Sequence, residues 1–204
     1  MSTPIILLIS APSGAGKTTV CNALLAANPN LRRVVTSTTR PARPGERHGV
    51  DYHFFSPEEF ARRREADEFL EHASVYDRAY GTLKSSVLDL LAAGHDVLLN
   101  IDVQGAASVR RVAAGDPVLK GALATVFLTP PTLAELEARL RGRGADPEDV
   151  IARRLAEAGG EAGRWAEFDY LVVSTTRAED SRRMQAIYDT ERLRSARAEF
   201  RLGV

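Results

Sequence analysis

The chain has no surplus charge, almost no cysteine and almost no lysine, and each shortage excludes something. Lysine and arginine together number 27, and so do aspartate and glutamate, for a formal net charge of +0. Nucleic acid and anionic membranes select for a positive surplus, so a polyanionic partner is not expected. The one cysteine, Cys21, cannot close an internal disulfide, and nothing in the composition points to an oxidising compartment. Long hydrophobic runs are missing too. The apolar run from Ile5 to Ile9 is too short to cross a bilayer and has no basic segment before it, so a cytoplasmic protein is expected. His48, His53, His72 and His95 lack metal-ligand spacing and form no nucleophile motif with Cys21, which argues against zinc or thiol chemistry. Only Lys17, Lys84 and Lys120 are lysines. Arginine carries the remaining positive charge, and base composition is a bland cause of that skew.

What is present is ordinary for a globular chain. Its 204 residues are 44% hydrophobic and 26% charged, enough for one core, alone or carrying smaller mobile subdomains. Short β-branched or apolar runs alternate with helical patterns, the signature of a parallel sheet covered by helices. Strands are predicted over 5–10, 34–37, 52–55, 96–101, 123–128 and 170–173. Helices are predicted over 18–27, from Pro57 to about Ala66, over 84–93, 104–114 and 131–143, from Asp146 and Pro147 to about Gly159, and over 178–200. Ser56, Pro57 and Glu59 supply an N-cap, a first helical residue and a capping-box partner. The stretch from Thr39 to Gly49 has no apolar periodicity and reads as a loop.

Between the first strand and first helix stands Ala11-Pro12-Ser13-Gly14-Ala15-Gly16-Lys17-Thr18, followed by Thr19. It matches the Walker A pattern except that Ala11 takes the place of the first glycine. In such a loop backbone N–H groups point at phosphate oxygens and the helix N-terminus adds positive potential. Gly14 and Gly16 allow close approach, Lys17 reaches the transferring phosphate, and the Thr18 hydroxyl sits where Mg²⁺ is held. An ordinary glycine turn is the bland alternative. Downstream, Arg40 and Arg43 follow hydroxyls at Thr36 and Ser37. Guanidinium forks with neutral hydroxyl donors suit a monophosphate, although an exposed Arg/Pro loop is the competing reading.

Five pieces, in order, carry a resemblance. They are Lys17-Thr18, the segment from Thr38 to Glu46, Asp51-Tyr52, Tyr80-Gly81-Thr82, and Ile101-Asp102-x-Gln104-Gly105. Together they resemble the guanylate kinase family over essentially the whole chain. The resemblance implies a three-layer α/β P-loop NTPase core with a parallel sheet, plus a small mixed α/β GMP-binding subdomain and a helical lid. The core would span 1–35, 84–135 and 160–204, the GMP-binding subdomain 36–83 and the lid 136–159. It implies transfer of the γ-phosphoryl of ATP to GMP or dGMP, with Mg²⁺ as cofactor and the nucleotides as small-molecule partners. Residues 11–19 would hold ATP. Arg40, Arg43, Tyr52 and Tyr80 would hold the GMP phosphate. Glu71 and Asp102 would accept hydrogen bonds from guanine, with Thr82 and Thr36 at its O6 side and Ser37, Gly81 and Gly105 around the nucleotide. Thr18 and Asp102 would serve Mg²⁺, directly or through water. Arg139, Arg143 and Arg154 would close over the ATP phosphates and act in catalysis with Lys17 and Arg40.

Three departures stand out. Ala11 is tolerable if its φ is negative. Asn100 replaces an acidic residue, leaving more of the metal's support to Asp102, and Ser174-Thr175 replaces an Asn-Asp pair near the adenine. Two rivals share the scaffold: a kinase for a sugar phosphate such as a ribose bisphosphate, and a non-catalytic module that docks phosphopeptides. The guanine-reading carboxylates count against the first and the intact Lys17, Thr18 and arginines against the second.

Overall fold

Four short apolar runs and the edge segment Leu31–Arg33 pair as a parallel sheet in the order β2-β7-β1-β8-β9. Its strands are β1 (Ile6–Ser10), β2 (Leu31–Arg33), β7 (Asp96–Asn100), β8 (Leu123–Thr129) and β9 (Tyr170–Val173). The structure is a computed structural model that describes residues 3–12, 14–75, 78–142 and 148–198. Strand side chains alternate between faces, so β1 serves two cores at once. Leu7 and Ile9 pack with Val20, Cys21 and Leu24 of α1 (Lys17–Ala27) and with Met184 and Tyr188 of α8 (Arg177–Arg192). Ile6 and Leu8 face the other way. They meet Val87 and Leu91 of α3 (Lys84–Ala92), Val103, Ala106 and Val109 of α4 (Val103–Ala114) and Leu119 of α5 (Pro117–Ala122). The expected three layers follow from that alternation.

A second sheet stands beside the first, in the order β4-β3-β6-β5. It comprises β3 (Ser37–Thr38), β4 (His53–Phe54), β5 (Phe69–Val75) and β6 (Arg78–Leu83), with β3 and β4 parallel and the rest antiparallel. On one face α2 (Pro57–Glu65) packs Phe60 against Phe69 and Leu83. Ser56 caps α2, its side chain accepting from Glu59 N at 3.1 Å. The Glu59 carboxylate pairs with Arg62 and Arg63. A third unit is the helix pair α6 (Leu133–Gly142) and α7 (Glu148–Ala162), which shares Leu136, Leu140, Ile151 and Ala158. Among the described residues no helix is long and apolar enough to cross a membrane.

Two expectations about elements are corrected, and one hairpin was not expected at all. A single strand over 34–37 does not form, because the chain passes there from one sheet to the other: β2 ends at Arg33 and β3 begins at Ser37. The β5–β6 hairpin went unforeseen because Phe69, Leu70 and Glu71 are all buried, which erases the apolar/polar alternation. The last helix stops at Arg192, well short of Phe200. Beyond it buried Arg197 turns back to donate to the carbonyls of Gly121 (2.9 Å) and Leu123 (3.1 Å) and to pair with Glu191. The opening of the sixth predicted helix at Asp146 and Pro147 lies outside the described residues.

Candidate active site

Among the described residues five helices begin under a side chain that accepts their first N–H groups: Ser56 for α2, Asp102 for α4, Asp116 for α5, Thr132 for α6 and Thr176 for α8. Helix α1 differs. It starts at Gly16, in a left-handed conformation (φ 99°), with no side-chain cap and no acidic residue in its first turn. Its leading N–H groups therefore remain available to an anion, and the helix dipole favours one. They open on a cavity of about 310 Å³ lined by Ala11, Pro12, Gly14, Gly16, Lys17, Thr18, Thr19, Asp102 and Glu161. A second cavity of about 370 Å³ shares Gly14, Gly16 and Thr19 and continues past Ala15, Arg139, Ser174, Thr175, Arg177 and Asp180.

Ala11 is buried and has no positive φ, so its methyl group is accommodated without strain. Gly14 cannot take one: its φ is 95° and an added Cβ would stand 2.7 Å from Leu140 Cδ2. The phosphate loop is thereby packed on α6. Lys17 donates to the carbonyl of Ile101 at 2.7 Å, which fixes its ammonium at the end of β7. Burial lowers its pKa, and the nearby charge of Asp102 opposes that shift.

The opposite wall is built by the second sheet. Tyr80 lies across from Thr38 and Thr82 from Glu71, so these four share a face. Glu71 Oε1 accepts from the Thr82 hydroxyl at 2.6 Å, and both residues are buried. Burial pushes the Glu71 carboxyl above its ordinary pKa; the Thr82 hydrogen bond opposes this and the Asp102 charge adds to it. A Cβ at Gly105 would sit 3.2 Å from Glu71 Oε2 and 3.4 Å from Asp102 Oδ1, so a bare Gly105 keeps the two carboxylates in the same small space. Asp102 also caps α4, accepting from Gly105 N at 2.7 Å. It is shared between the phosphate cavity and the carboxylate pair.

Beside them Arg40 lies 5.5 Å from the Tyr52 ring centre, and Tyr52 is 6.4 Å from Tyr80. Thr36 is half-buried next to this group, and Arg43 is exposed on the loop after it. Two of the expected site residues have side-chain positions on the other face of the sheet. Ser37 pairs with Gly81 on the face away from Tyr80, where its buried hydroxyl has no partner among the described residues. Gly81 likewise serves packing, because a Cβ there would lie 2.9 Å from the Phe69 ring.

Among the arginines expected in a lid, Arg139 lines the wider cavity and donates to Ser174 Oγ at 2.9 Å. Arg154 lies seven residues before Glu161 on α7, hence on the same helix face about 10 Å away. Arg143 and Ser13 lie outside the described residues. Sequence reasoning missed Glu161, Arg177 and Asp180, none of which stands in a motif. Thr18 and Asp102 offer hard oxygen donors on the phosphate cavity, a set that fits Mg²⁺ completed by phosphate oxygens and water.

Known proteins resemble this chain in sequence and fold. The family described as guanylate kinase matches residues 1–190. The guanylate kinase of Paramagnetospirillum magneticum is 45% identical over 193 residues, covering 95% of this chain and 87% of its own length. That of Methylococcus capsulatus is 45% identical over 203 residues, covering 100% and 96%. The crystal structure of guanylate kinase from Anaplasma phagocytophilum matches with a TM-score of 0.71 at 31% identity, over 97% of this chain and 90% of that one. On fold and on sequence alike, the chain belongs to the guanylate kinase family.

Proposed function

We infer that this chain is a guanylate kinase, an ATP:GMP phosphotransferase that moves the γ-phosphoryl of ATP to the phosphate of GMP or dGMP and releases ADP and GDP or dGDP. The observation that carries the reading is the buried Glu71–Thr82 pair beside Asp102, set next to an uncapped phosphate-loop helix. Guanine presents an N1–H and an exocyclic amine side by side, and two adjacent carboxylates accept from both. Adenine offers its donors elsewhere, and a site whose buried acceptors stay unpaired rejects the wrong base by large factors.

The residues divide the work between the two phosphates and the base. Arg40, Arg43, Tyr52 and Tyr80 hold the acceptor phosphate, one of whose oxygens attacks the γ-phosphorus as the bond to the β–γ bridging oxygen breaks. Lys17 and the loop amides bear the charge spread over the moving group, and Arg139 with Arg154 and Arg143 close over it. Thr18 and Asp102 hold Mg²⁺, which neutralises phosphate charge when bound. Residues 36–83 move as the acceptor subdomain and 136–159 as the lid, against a core of 1–35, 84–135 and 160–204. Closure excludes water and suppresses ATP hydrolysis. We place this work in the cytoplasm. ADP release measured with GMP, dGMP, AMP, UMP and CMP in turn tests the reading: GMP and dGMP are expected to lead, and a faster rate with any other acceptor overturns it.

A further inference from the structure

We propose that Glu46 is a positioning residue for the acceptor phosphate, acting through Arg40. This rests on the assignment of Arg40 to that phosphate. The local sequence builds the contact. Arg43-Pro44-Gly45-Glu46 closes a turn in which Glu46 N donates to Arg43 O at 3.0 Å, and Gly45 takes the positive φ of 90° that such a turn demands after proline. The turn throws the Glu46 side chain back over its own start. There Oε2 accepts from Arg43 N at 2.7 Å and from Arg40 Nη1 at 2.9 Å, while Oε1 accepts from Arg40 Nη2 at 2.9 Å.

Counting donors on Arg40 shows what the carboxylate does. A guanidinium has five N–H bonds. Both hydrogens of Nη1 are used, one on Glu46 and one on the carbonyl of Pro41 at 2.8 Å, and one hydrogen of Nη2 is used on Glu46. Among the described residues the Nε–H and the second Nη2–H meet no carboxylate or carbonyl, and they lie along one edge, spaced to grip two oxygens of a single phosphate. Tyr80 borders the same guanidinium and the rings of Tyr52 and Phe54 lie against it, at 5.5 and 5.8 Å from their centres. Glu46 thus occupies the end of the fork and leaves the side edge, with Tyr80 beside it, as the bidentate face for substrate. It also sets the charge balance: Arg40 and Arg43 against Glu46 leave a single positive charge, enough to favour a phosphate without trapping the product.

The test is a double-mutant cycle on the full chain, read as GMP affinity by calorimetry and as separate KM and kcat values. Glu46→Gln is expected to weaken GMP binding by about tenfold or more, with the ATP KM within about twofold and kcat at saturating GMP reduced far less than the GMP KM is raised. Glu46→Asp should recover part of the loss. If Glu46 acts through Arg40, adding Glu46→Gln to Arg40→Ala costs little more than Arg40→Ala alone. Independent, additive losses would make Glu46 a merely structural loop residue and overturn the proposal. So would tighter GMP binding by Glu46→Gln, which would make it a competitor for Arg40. A wild-type chain that fails to bind GMP would overturn the functional reading instead, and the two failures are distinct. Should Glu46→Gln fold poorly, Gly45→Ala, strained at φ 90°, offers a second displacement of the same carboxylate and is expected to raise the GMP KM in the same direction.

Discussion

The two nucleotide sides of this protein spend their buried polar groups in opposite ways. On the side proposed for the acceptor, the Glu71 carboxylate has one oxygen held by Thr82 and the other beside Gly105 and Asp102. On the donor side Ser174 and Asp180 are as deeply buried but satisfy each other. Ser174 Oγ donates to Asp180 Oδ2 at 2.6 Å and accepts from Arg139, and Asp180 Oδ1 accepts from Thr175 N at 2.9 Å. A buried acceptor left open reads a base strongly, because the wrong base leaves it unpaired. Polar groups already paired with one another hold a wall in place and read little. On the proposed roles, selectivity is expected to be concentrated on the acceptor side, with the donor side mainly fixing the loop, α6 and Arg139.

The sharpest way to break the comparison is to remove what both sides share. Lys17 stands on the phosphate cavity between them. Lys17→Ala should lower kcat by about 10³-fold or more, the scale of losing a preorganised charge at a transferring phosphoryl, with both acceptor and donor KM values changed much less. Stability should hold or rise. Burial depresses the Lys17 pKa, so the folded state disfavours its charged form below the unfolded value. Truncation removes that penalty, and a melting curve checks it.

Next comes the acceptor reader itself. Glu71→Gln should raise the GMP KM by about ten- to a hundredfold and narrow the preference over AMP. The sign of its titration supports a second readout. Because the Glu71 pKa is raised by burial, its contribution to stability is present below the unfolded carboxylate value and is lost as pH rises through the folded one. Above the folded pKa the ionised group is thus a cost that glutamine does not carry, so there the variant should melt higher than wild type. In the wild type the acid limb of kcat/KM for GMP should lie above the ordinary glutamate range, and it should vanish in Glu71→Gln. A variant that loses stability with no change in GMP KM would place Glu71 in the core rather than at the base.

How much of this was legible in the sequence follows the same divide. The phosphate loop was readable because its chemistry is local: consecutive residues both form the loop and face the ligand. The parallel sheet was readable because strands buried on both faces show as unbroken apolar runs, as in β1 and β8. The hairpin that carries Glu71 was not, because a functional carboxylate interrupts its pattern and a register shift separates Phe69 from Glu71. Glu161 and Asp180 were invisible for a different reason. Each reaches the site from a helix whose periodicity reports only the buried face, and nothing local distinguishes a carboxylate that lines a cavity from a solvated one. The sequence pattern also placed Ser37 in the acceptor site, where strand register assigns it to the opposite face.

A smaller effect is expected where loop and helix meet. Gly14→Ala must hold alanine at φ 95° and drive its Cβ to within 2.7 Å of Leu140. That should destabilise by about 2–3 kcal/mol, seen as a lower Tm. Adding Leu140→Ala should relieve the clash but not the backbone strain, so a partial recovery would separate the two causes.

The smallest effect tests the donor side directly. Ser174→Ala removes one neutral hydroxyl that bridges Arg139 and Asp180. A single neutral hydrogen bond contributes about 1 kcal/mol net, so the ATP KM should rise by no more than about fivefold. Since the hydroxyl is engaged with protein groups and not left open, the ratio of ATP to GTP use should barely move even as both KM values rise. Arg139 would lose its anchor to the loop and kcat would fall modestly for either donor. A large drop in ATP preference would show that Ser174 reads the base, and the contrast between an open acceptor wall and a self-satisfied donor wall would no longer hold.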